Sequence, residues 1–543
     1  MYKLAIFLVF FCFGVNYIYA QHIQFDWQNC IKGGKNNTTG ATVCPASNGY
    51  FVTAMQDRGS HVDIVLIKIS LAGDSLWSKY YGGADADWPL GAFPTQDGNF
   101  YIVGTSSSDD GDITINPYPN YSNVWVIKID SAGNKLWDNI YGGSDRDEVF
   151  NAIVSLDGGL TILSSTFSTD GDITNFYGGG RDIWLLKLDS NGNKQWDFTM
   201  GSNDWDYGYG IQQVSDSSYL ISGSFFIGKG GNIDCAYSDT NHTDGLLFQV
   251  DKNGILIHQK CYHGSEYDCI RSVIELPDGY LISGNTESPD IASTNIGFHP
   301  GYTHNGHPTP DIWLQKTDFE WNIEWEKCYG GSGWEDMYHI FQCSNGDYMM
   351  FGTTNSHDGD VSGLHMYDET DQRQDVWMVR LNAEGDIIWQ RCIGKMSDER
   401  IQTNSVLKID DANYVLAIEA SGCFIDGDFT CNPSEDPYNC PYYAWVSQIT
   451  DTAASVGIAE QIQHIEVKLY PNPANQFATV EIPVTYDLKN AYAEIIDASG
   501  RMRDSFKVNE KQFVINVSGY QKGIYMIRIY DERGIITKKF IVD

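Results

Sequence analysis

From Asp182 the chain reads DIWLLKLD, then the turn cluster Ser190-Asn191-Gly192-Asn193, then KQWDFTM. Bulky apolar residues fill the first run and the second resumes an extended pattern, so the stretch predicts strand, turn, strand. The phrase recurs as DIVLIKISLAGDSLW from Asp63, NVWVIKIDSAGNKLW from Asn123 and DGLLFQVDKNGILIH from Asp244. It returns as DIWLQKTDFEWNIEW from Asp311 and DVWMVRLNAEGDIIW from Asp375, with successive starts 60, 59, 62, 67 and 64 residues apart.

Each copy continues with a Gly-Gly turn rich in acids, as in YGGADAD at 81–87, YGGSDRD at 141–147 and MGSNDWD at 200–206. A third strand then leads to a second turn, and a fourth strand carries a small residue inside it, as in FYIVGTS or YLISGNT. Four short strands per copy, with no helical periodicity between them, predict β-propeller blades. The ends complete the count. Residues 25–54 hold a copy without its opening strand, and YAWVSQI at 443–449 is an opening strand with nothing after it. Joined, they predict an all-β, seven-bladed β-propeller over residues 22–450, closed by strands from both ends so that no sheet edge is left free. Residues 451–466 read as a linker. Alternating strands over residues 467–543 predict a small C-terminal β-sandwich.

Eleven tryptophans fall at two fixed positions and are read as packing between blades. Trp125, Trp184, Trp313, Trp377 and Trp445 share the opening strand; Trp27, Trp77, Trp137, Trp196, Trp325 and Trp389 share the strand after the turn. Trp88, Trp205 and Trp334 instead sit by the acidic Gly-Gly loops. In up-and-down blades those loops and the long fourth-to-opening connections emerge on one face, where most length variation also falls. The ligand-binding candidates are therefore these three rings, for stacking on sugars, with Asp85, Asp87, Asp204, Asp206 and Asp336 to bond hydroxyls. The long connections carry DDGDI, TDGDI, HDGDV and IDGDF. Their carboxylates, Asp110, Asp112, Asp170, Asp172, Asp358, Asp360, Asp426 and Asp428, are calcium candidates by oxygen chemistry, although Asp-Gly-Asp is also an ordinary turn. His299, His304 and His307 form a second cluster, read first as a solvated loop. No other cofactor is expected.

The 543 residues include 71 acidic and 35 basic ones, a formal net charge of −36. Such a surface repels phosphate backbones, which argues against nucleic acid as a partner. Lys3 followed by LAIFLVFFCF and Tyr19-Ala20-Gln21 reads as a secretory signal at 1–20, and no later run is long enough to span a membrane. Export permits disulfides. Cys30–Cys44 and Cys328–Cys343 are the expected cross-strand pairs, and Cys261 is expected within reach of Cys269; Cys235, Cys392, Cys423, Cys431 and Cys440 have no connectivity readable from spacing.

The C-terminal stretch carries Tyr470-Pro471-Asn472-Pro473, Asp497-Ala498-Ser499-Gly500-Arg501, Gly523-Ile524-Tyr525 and Lys538-Lys539. In these motifs and their order it resembles the sorting domain of type IX secretion substrates in the Bacteroidetes. That resemblance implies passage through the periplasm, engagement of the type IX machinery, and a final place outside the cell or on its surface. The repeats resemble uncharacterised secreted propeller repeats of the same bacteria and, more distantly, quinoprotein blades, whose adjacent Cys-Cys pair is missing. The expected function is a non-catalytic module binding an extracellular glycan or protein. The alternative is a glycan hydrolase or lyase, whose acid–base pair should break the repeat; no GxSxG, HExxH or P-loop phrase supplies one.

Overall fold

The computed structural model describes residues 23–31, 38–226, 230–234, 242–291, 297–299, 301, 307–365, 373–395, 397–421, 427–430, 442–452, 468–482, 492–497, 502–508, 510–531 and 534–543. The predicted signal, most of the predicted linker, Asp426, His304, Gly500, Cys235, Cys423, Cys431 and Cys440 lie outside these. The chain is all-β, and its contacts separate a unit Gln24–Thr450 from one containing Asp451–Asp543.

Among the described residues the larger unit holds seven antiparallel sheets consistent with propeller blades. One of them shows how each is assembled: Asp147–Val154, Leu160–Thr166, Asp182–Leu188 and Lys194–Met200 pair in chain order. The leading strand of each sheet is thus the third strand of one sequence copy, and the trailing strand is the second strand of the next phrase. The Gly-Gly connection does not turn within a sheet; it passes from a trailing strand to the leading strand of the following sheet. Leading strands of successive sheets pack on one another. At the seam, Ile23–Ile31 pairs as trailing strand with Tyr443–Asp451. Its neighbours there are Ser447, whose hydroxyl donates to the Trp27 carbonyl at 2.7 Å, and Gln448, whose amide reaches Asp26 at 3.1 Å.

This assembly corrects the three expected disulfides. Cys44, Cys269, Cys328 and Cys343 are free thiols, while Cys30 and Cys261 are disulfide-bonded, to none of these four. Each expected pair was placed across neighbouring strands of one sheet. In fact Cys30, Cys261 and Cys328 lie on trailing strands, whereas Cys44, Cys269 and Cys343 lie on or beside the leading strand of the next sheet.

The third strand of each sheet is covered on both faces, which is why it reads as an unbroken apolar run. Where it carries a basic residue, that residue finds a partner in the leading-to-second turn. Lys187 reaches Asp157 at 2.7 Å, Lys128 reaches Asp97 at 3.1 Å, and Arg380 reaches Asp347 at 3.0 Å. Three third-strand indoles are bonded by the trailing strand: Trp125 donates to Asp138 at 3.2 Å, Trp184 to Asp197 at 3.3 Å and Trp377 to Gln390 at 2.8 Å. Trp445 makes the same bond to Gln28 at 3.2 Å, although the two residues come from opposite ends of the unit.

Trailing tryptophans lie on the turn of the next sheet. A Cβ on Gly192 (φ 84°) would stand 2.8 Å from the Trp137 ring, and one on Gly254 (φ 80°) 2.7 Å from Trp196. Trp27 meets Gly73, Trp77 meets Gly133 and Trp325 meets Gly385 in the same way. One pair is inverted. Trp321 takes the turn position, with φ 65°, and its ring stands 4.3 Å from His258, which replaces the trailing tryptophan.

The smaller unit stacks Lys468–Tyr470, Phe477–Glu481 and Gln512–Asn516 over a second sheet of Tyr492–Asp497, Met502–Lys507, Gly523–Asp531 and Gly534–Val542. Ala478, Val480 and Ile515 share one core with Ile495, Ile527, Ile529 and Phe540.

Trp184 is fully buried with its indole N–H bonded, so Trp184→Ala should cost about 3–5 kcal/mol by denaturant melting. Deleting Ile23–Ile31 should lower the melting midpoint sharply, because it exposes the edge of Tyr443–Asp451; an unchanged midpoint would contradict the seam pairing.

Candidate functional site

The Gly-Gly connections and the Asp-Gly-Asp connections are bonded to each other, so both emerge at one end of the sheets. In the sheet led by Asp87–Pro94, Asp110 accepts from the Ala84 amide at 2.7 Å and Asp112 from Gly82 at 3.2 Å, while the Asp112 amide donates to the Gly82 carbonyl at 3.0 Å. The next copy repeats it: Asp170 takes the Ser144 amide at 2.8 Å and Asp172 the Gly142 amide at 3.1 Å. Asp358 and Asp360 do the same to Ser332 and Gly330 at 2.7 and 3.3 Å, and Asp428 to Gly394 at 3.4 Å. The hydroxyl residue that follows closes the motif on the trailing strand, as Thr174 does on Asp197. The glycine between the acids is required: at Gly111 (φ 66°) a Cβ would stand 2.3 Å from the Gly82 carbonyl oxygen.

These carboxylates therefore face backbone N–H groups, whose positive ends are where a cation would sit. No group of three His, Cys, Asp or Glu side chains among the described residues is arranged to hold a metal. The Asp-Gly-Asp residues do not fit calcium as its cage; they fit as acceptors that clamp two loops together.

The acid that opens each leading strand is also structural. Asp87 and Asp206 are fully buried. Asp87 accepts from the Gly83 amide at 2.8 Å and the Ser108 hydroxyl at 3.0 Å, and Asp206 from the Ser202 amide at 2.7 Å. Neither can reach a ligand at the surface, which corrects their assignment. Burial pushes Asp206 up to about 8, and Asp147, Asp182, Asp244 and Glu335 each up to about 7. Asp85 is exposed and Asp204 half-buried; Asp336 is half-buried, 3.3 Å from the Asn285 amide and 3.5 Å from Arg271.

The three loop tryptophans are 43%, 39% and 41% exposed at Trp88, Trp205 and Trp334, whereas the five third-strand tryptophans are fully buried. They are not equivalent. Trp205 meets Phe167 edge-on at 5.7 Å, lies 6.3 Å from Tyr207, and carries Arg181 at 5.1 Å. Trp334 opens onto a recess of about 450 Å³ lined by Trp334, Asn355, Arg373, Gln374, Asp398 and Arg400.

Beside these rings runs a set of residues that the repeat reading passes over. Five of the leading strands carry a one-residue β-bulge, and the extra residue is Leu90, Phe150, Tyr209, Arg271 or Tyr338 in successive sheets. Bulges re-aim side chains, and here they bring neighbouring sheets into contact. Arg181 lies 5.7 Å from the Phe150 ring and 4.1 Å from Tyr207; Arg271 lies 4.5 Å from Tyr209. The available signal was singularity: the bulge position varies freely between copies that are otherwise regular. The histidine cluster is also regrouped. His307 reaches Glu266 at 3.0 Å and His242 reaches the same oxygen at 3.6 Å, while His299 turns to Asp311 at 3.4 Å.

In the smaller unit, Tyr470, Pro471, Asn472 and Pro473 lie where the strand Lys468–Tyr470 ends, with Asn472 accepting from the Ile541 amide at 2.8 Å. Tyr525 is buried in the shared core, while Gly523 opens its strand; Lys538 and Lys539 belong to the last strand.

Residues 468–543 match the family model described as the secretion system C-terminal sorting domain. The protein is thus exported, to the cell surface or into the medium, as the type IX sorting domain indicates. No curated protein is significantly similar to the chain. Among solved structures it is similar to PorZ, a surface component of the type IX secretion system of Porphyromonas gingivalis, at 13% identity over 93% of this chain and 70% of that one, with a TM-score of 0.26. A duf4221 family member from Bacteroides vulgatus aligns at 10% identity over 79% and 98%, TM-score 0.34. Puromycin hydrolase aligns at 11% over 83% and 59%, TM-score 0.43.

The raised carboxyls set a pH dependence. Each holds a proton in the folded chain at a pH where the unfolded chain, titrating near 4, has released it. Their contribution to stability is full below the unfolded value and is lost as pH rises through about 7 to 8. His299 and His365, raised by Asp311 and Asp375, act in the same direction, and His339, lowered to about 4 by burial, opposes them. The melting midpoint should therefore fall between about pH 5 and about pH 8, and Asp206→Asn should flatten that slope. A midpoint that rises over this interval would contradict the assignment.

Proposed function

We propose that the seven sheets close into one seven-bladed β-propeller, and that this propeller is a non-catalytic binding module for an extracellular glycan or protein. Its working end is the one that carries the Gly-Gly and Asp-Gly-Asp connections. The supporting observation is the contrast among tryptophans: the five that recur in the third strands are fully buried and those of the trailing strands are half-buried or buried, whereas Trp88, Trp205 and Trp334 are exposed at this end. A scaffold needs its packing residues in every copy; a ligand needs its contacts only where it touches. Of the carboxylates open to the hydrolase reading, Asp87 and Asp206 are consumed by backbone and hydroxyl donors, which leaves Asp85, Asp204 and Asp336.

Delivery rests on the C-terminal domain and the type IX machinery. Removing residues 467–543 should leave the larger unit folded but held in the periplasm, read by fractionation; normal appearance in the medium would refute this.

The binding role is tested by glycan-array binding together with a screen for released sugars. Trp334→Ala and Trp88→Ala should abolish or weaken binding while shifting melting little, in contrast to the loss of about 3–5 kcal/mol expected at a buried ring. Sugar release that survives these variants would favour the enzyme; destabilisation equal to that of Trp184→Ala would make the rings core.

A further inference from the structure

The recess beside Trp334 is built by loops of two successive sheets. Trp334 ends the Gly-Gly connection into Glu335–Gln342, Asn355 begins the long connection of the same sheet, and Gln374 precedes its third strand. Asp398 and Arg400 come from the start of the following sheet. At about 450 Å³ it lies within the usual range of ligand pockets, roughly 300–1,000 Å³.

Its lining is one aromatic ring, two guanidinium groups, one carboxylate and two amides, with no aliphatic side chain. That set does not suit a hydrocarbon ligand. A ring with an exposed face suits the C–H side of a sugar, and amides suit its hydroxyls. The guanidiniums are the informative part. The chain carries 71 acids against 35 bases, yet two arginines converge on one recess, which reverses the local sign.

Other arginines at this end are already engaged: Arg271 with Tyr209 and Asp336, and Arg181 with Tyr207 and Glu148. Arg400 differs. Its side chain is 57% exposed, and among the described residues its ion pair is with Asp398, at 2.6 Å. Asp398 is itself fixed by the Gln374 amide at 3.2 Å. A guanidinium has five N–H donors in a planar fork, so this one is oriented and still has donors to give. A planar carboxylate matches that fork in bidentate geometry.

We propose that this recess binds a carboxylate-bearing saccharide, an oligosaccharide containing uronic acid, with Trp334 stacking on the sugar ring and Arg400 taking the carboxylate. This rests on the binding-module reading above and adds the ligand class to it.

The test is calorimetric titration of the full mature chain with tetragalacturonate, a neutral galactose tetrasaccharide and a sulfated tetrasaccharide of similar length. Tetragalacturonate should bind best. Arg400→Ala should weaken it roughly 10- to 100-fold, the loss expected for a charge-assisted contact, and leave the neutral sugar's weak binding unchanged. Arg400→Lys should recover little, since an ammonium has no fork. Trp334→Ala should weaken every saccharide with an unchanged melting midpoint. Equal affinity for the neutral sugar with a silent Arg400→Ala overturns the uronate assignment and leaves glycan binding standing. A preference for the sulfated probe overturns the carboxylate and reassigns the site to sulfate. If none of the three binds, this proposal falls, and glycan-array binding lost in Trp88→Ala would still support the broader reading.

Discussion

The contact on which the packing of successive sheets depends is a size match between a trailing tryptophan and the turn of the next sheet. An indole lies flat there because the turn residue is a glycine with positive φ and no Cβ. The inverted pair makes the constraint visible. Where the turn carries Trp321, the facing residue is His258, so a large turn side chain meets a smaller partner. If the two positions packed independently, both changes would have no reason to occur together. Close-packed interiors tolerate neither a void nor an overlap of that volume. The same contact crosses the seam, where Trp27 from the start of the unit covers Gly73 of the sheet that follows.

A second periodic device fixes the loops. Acidic side chains sit as acceptors against the amides of the Gly-Gly turn, and the turn carbonyl takes an amide back, so two connections of different strands become one rigid ledge. Burying carboxylates is costly unless they are bonded. Here bonding is partial: among the described residues, one oxygen of Asp147, Asp182, Asp244, Asp311 and Asp375 has no hydrogen-bond partner. That explains why burial raises these groups, and why the ledge holds protons that an exposed carboxylate would release.

How much of this was legible follows from where repetition does its work. Third strands covered on both faces have to be apolar in every copy, so the period, the all-β class and the tryptophan register could be read directly. The phase of the sheets could not, because a four-strand repeat looks the same whichever strand leads. That one ambiguity produced all three mistaken disulfides: Cys261 and Cys269 are near in sequence but sit on the last strand of one sheet and the first of the next. The loop acids misled for a related reason. Asp87 and Asp85 are chemically alike and two residues apart, and only burial separates a structural acceptor from an exposed carboxylate. Arg373 and Arg400 belong to no recurring phrase, so neither the period nor the turn clusters point to them.

The acidic composition takes on a different meaning once these roles are assigned. Part of the −36 charge is not a diffuse surface field, because a set of its carboxylates is buried in the loop ledge and protonates readily. The remaining field still repels anions at distances of a Debye length, about 8–10 Å in physiological salt. Against that background Arg181, Arg271, Arg373 and Arg400 gather toward one end, interleaved with Trp205, Tyr207, Tyr209 and Trp334. An anion would therefore gain nothing from long-range steering and everything from contact, so recognition at this end has to be short-range: a ring face for stacking, an oriented guanidinium, and a recess small enough to displace water around both.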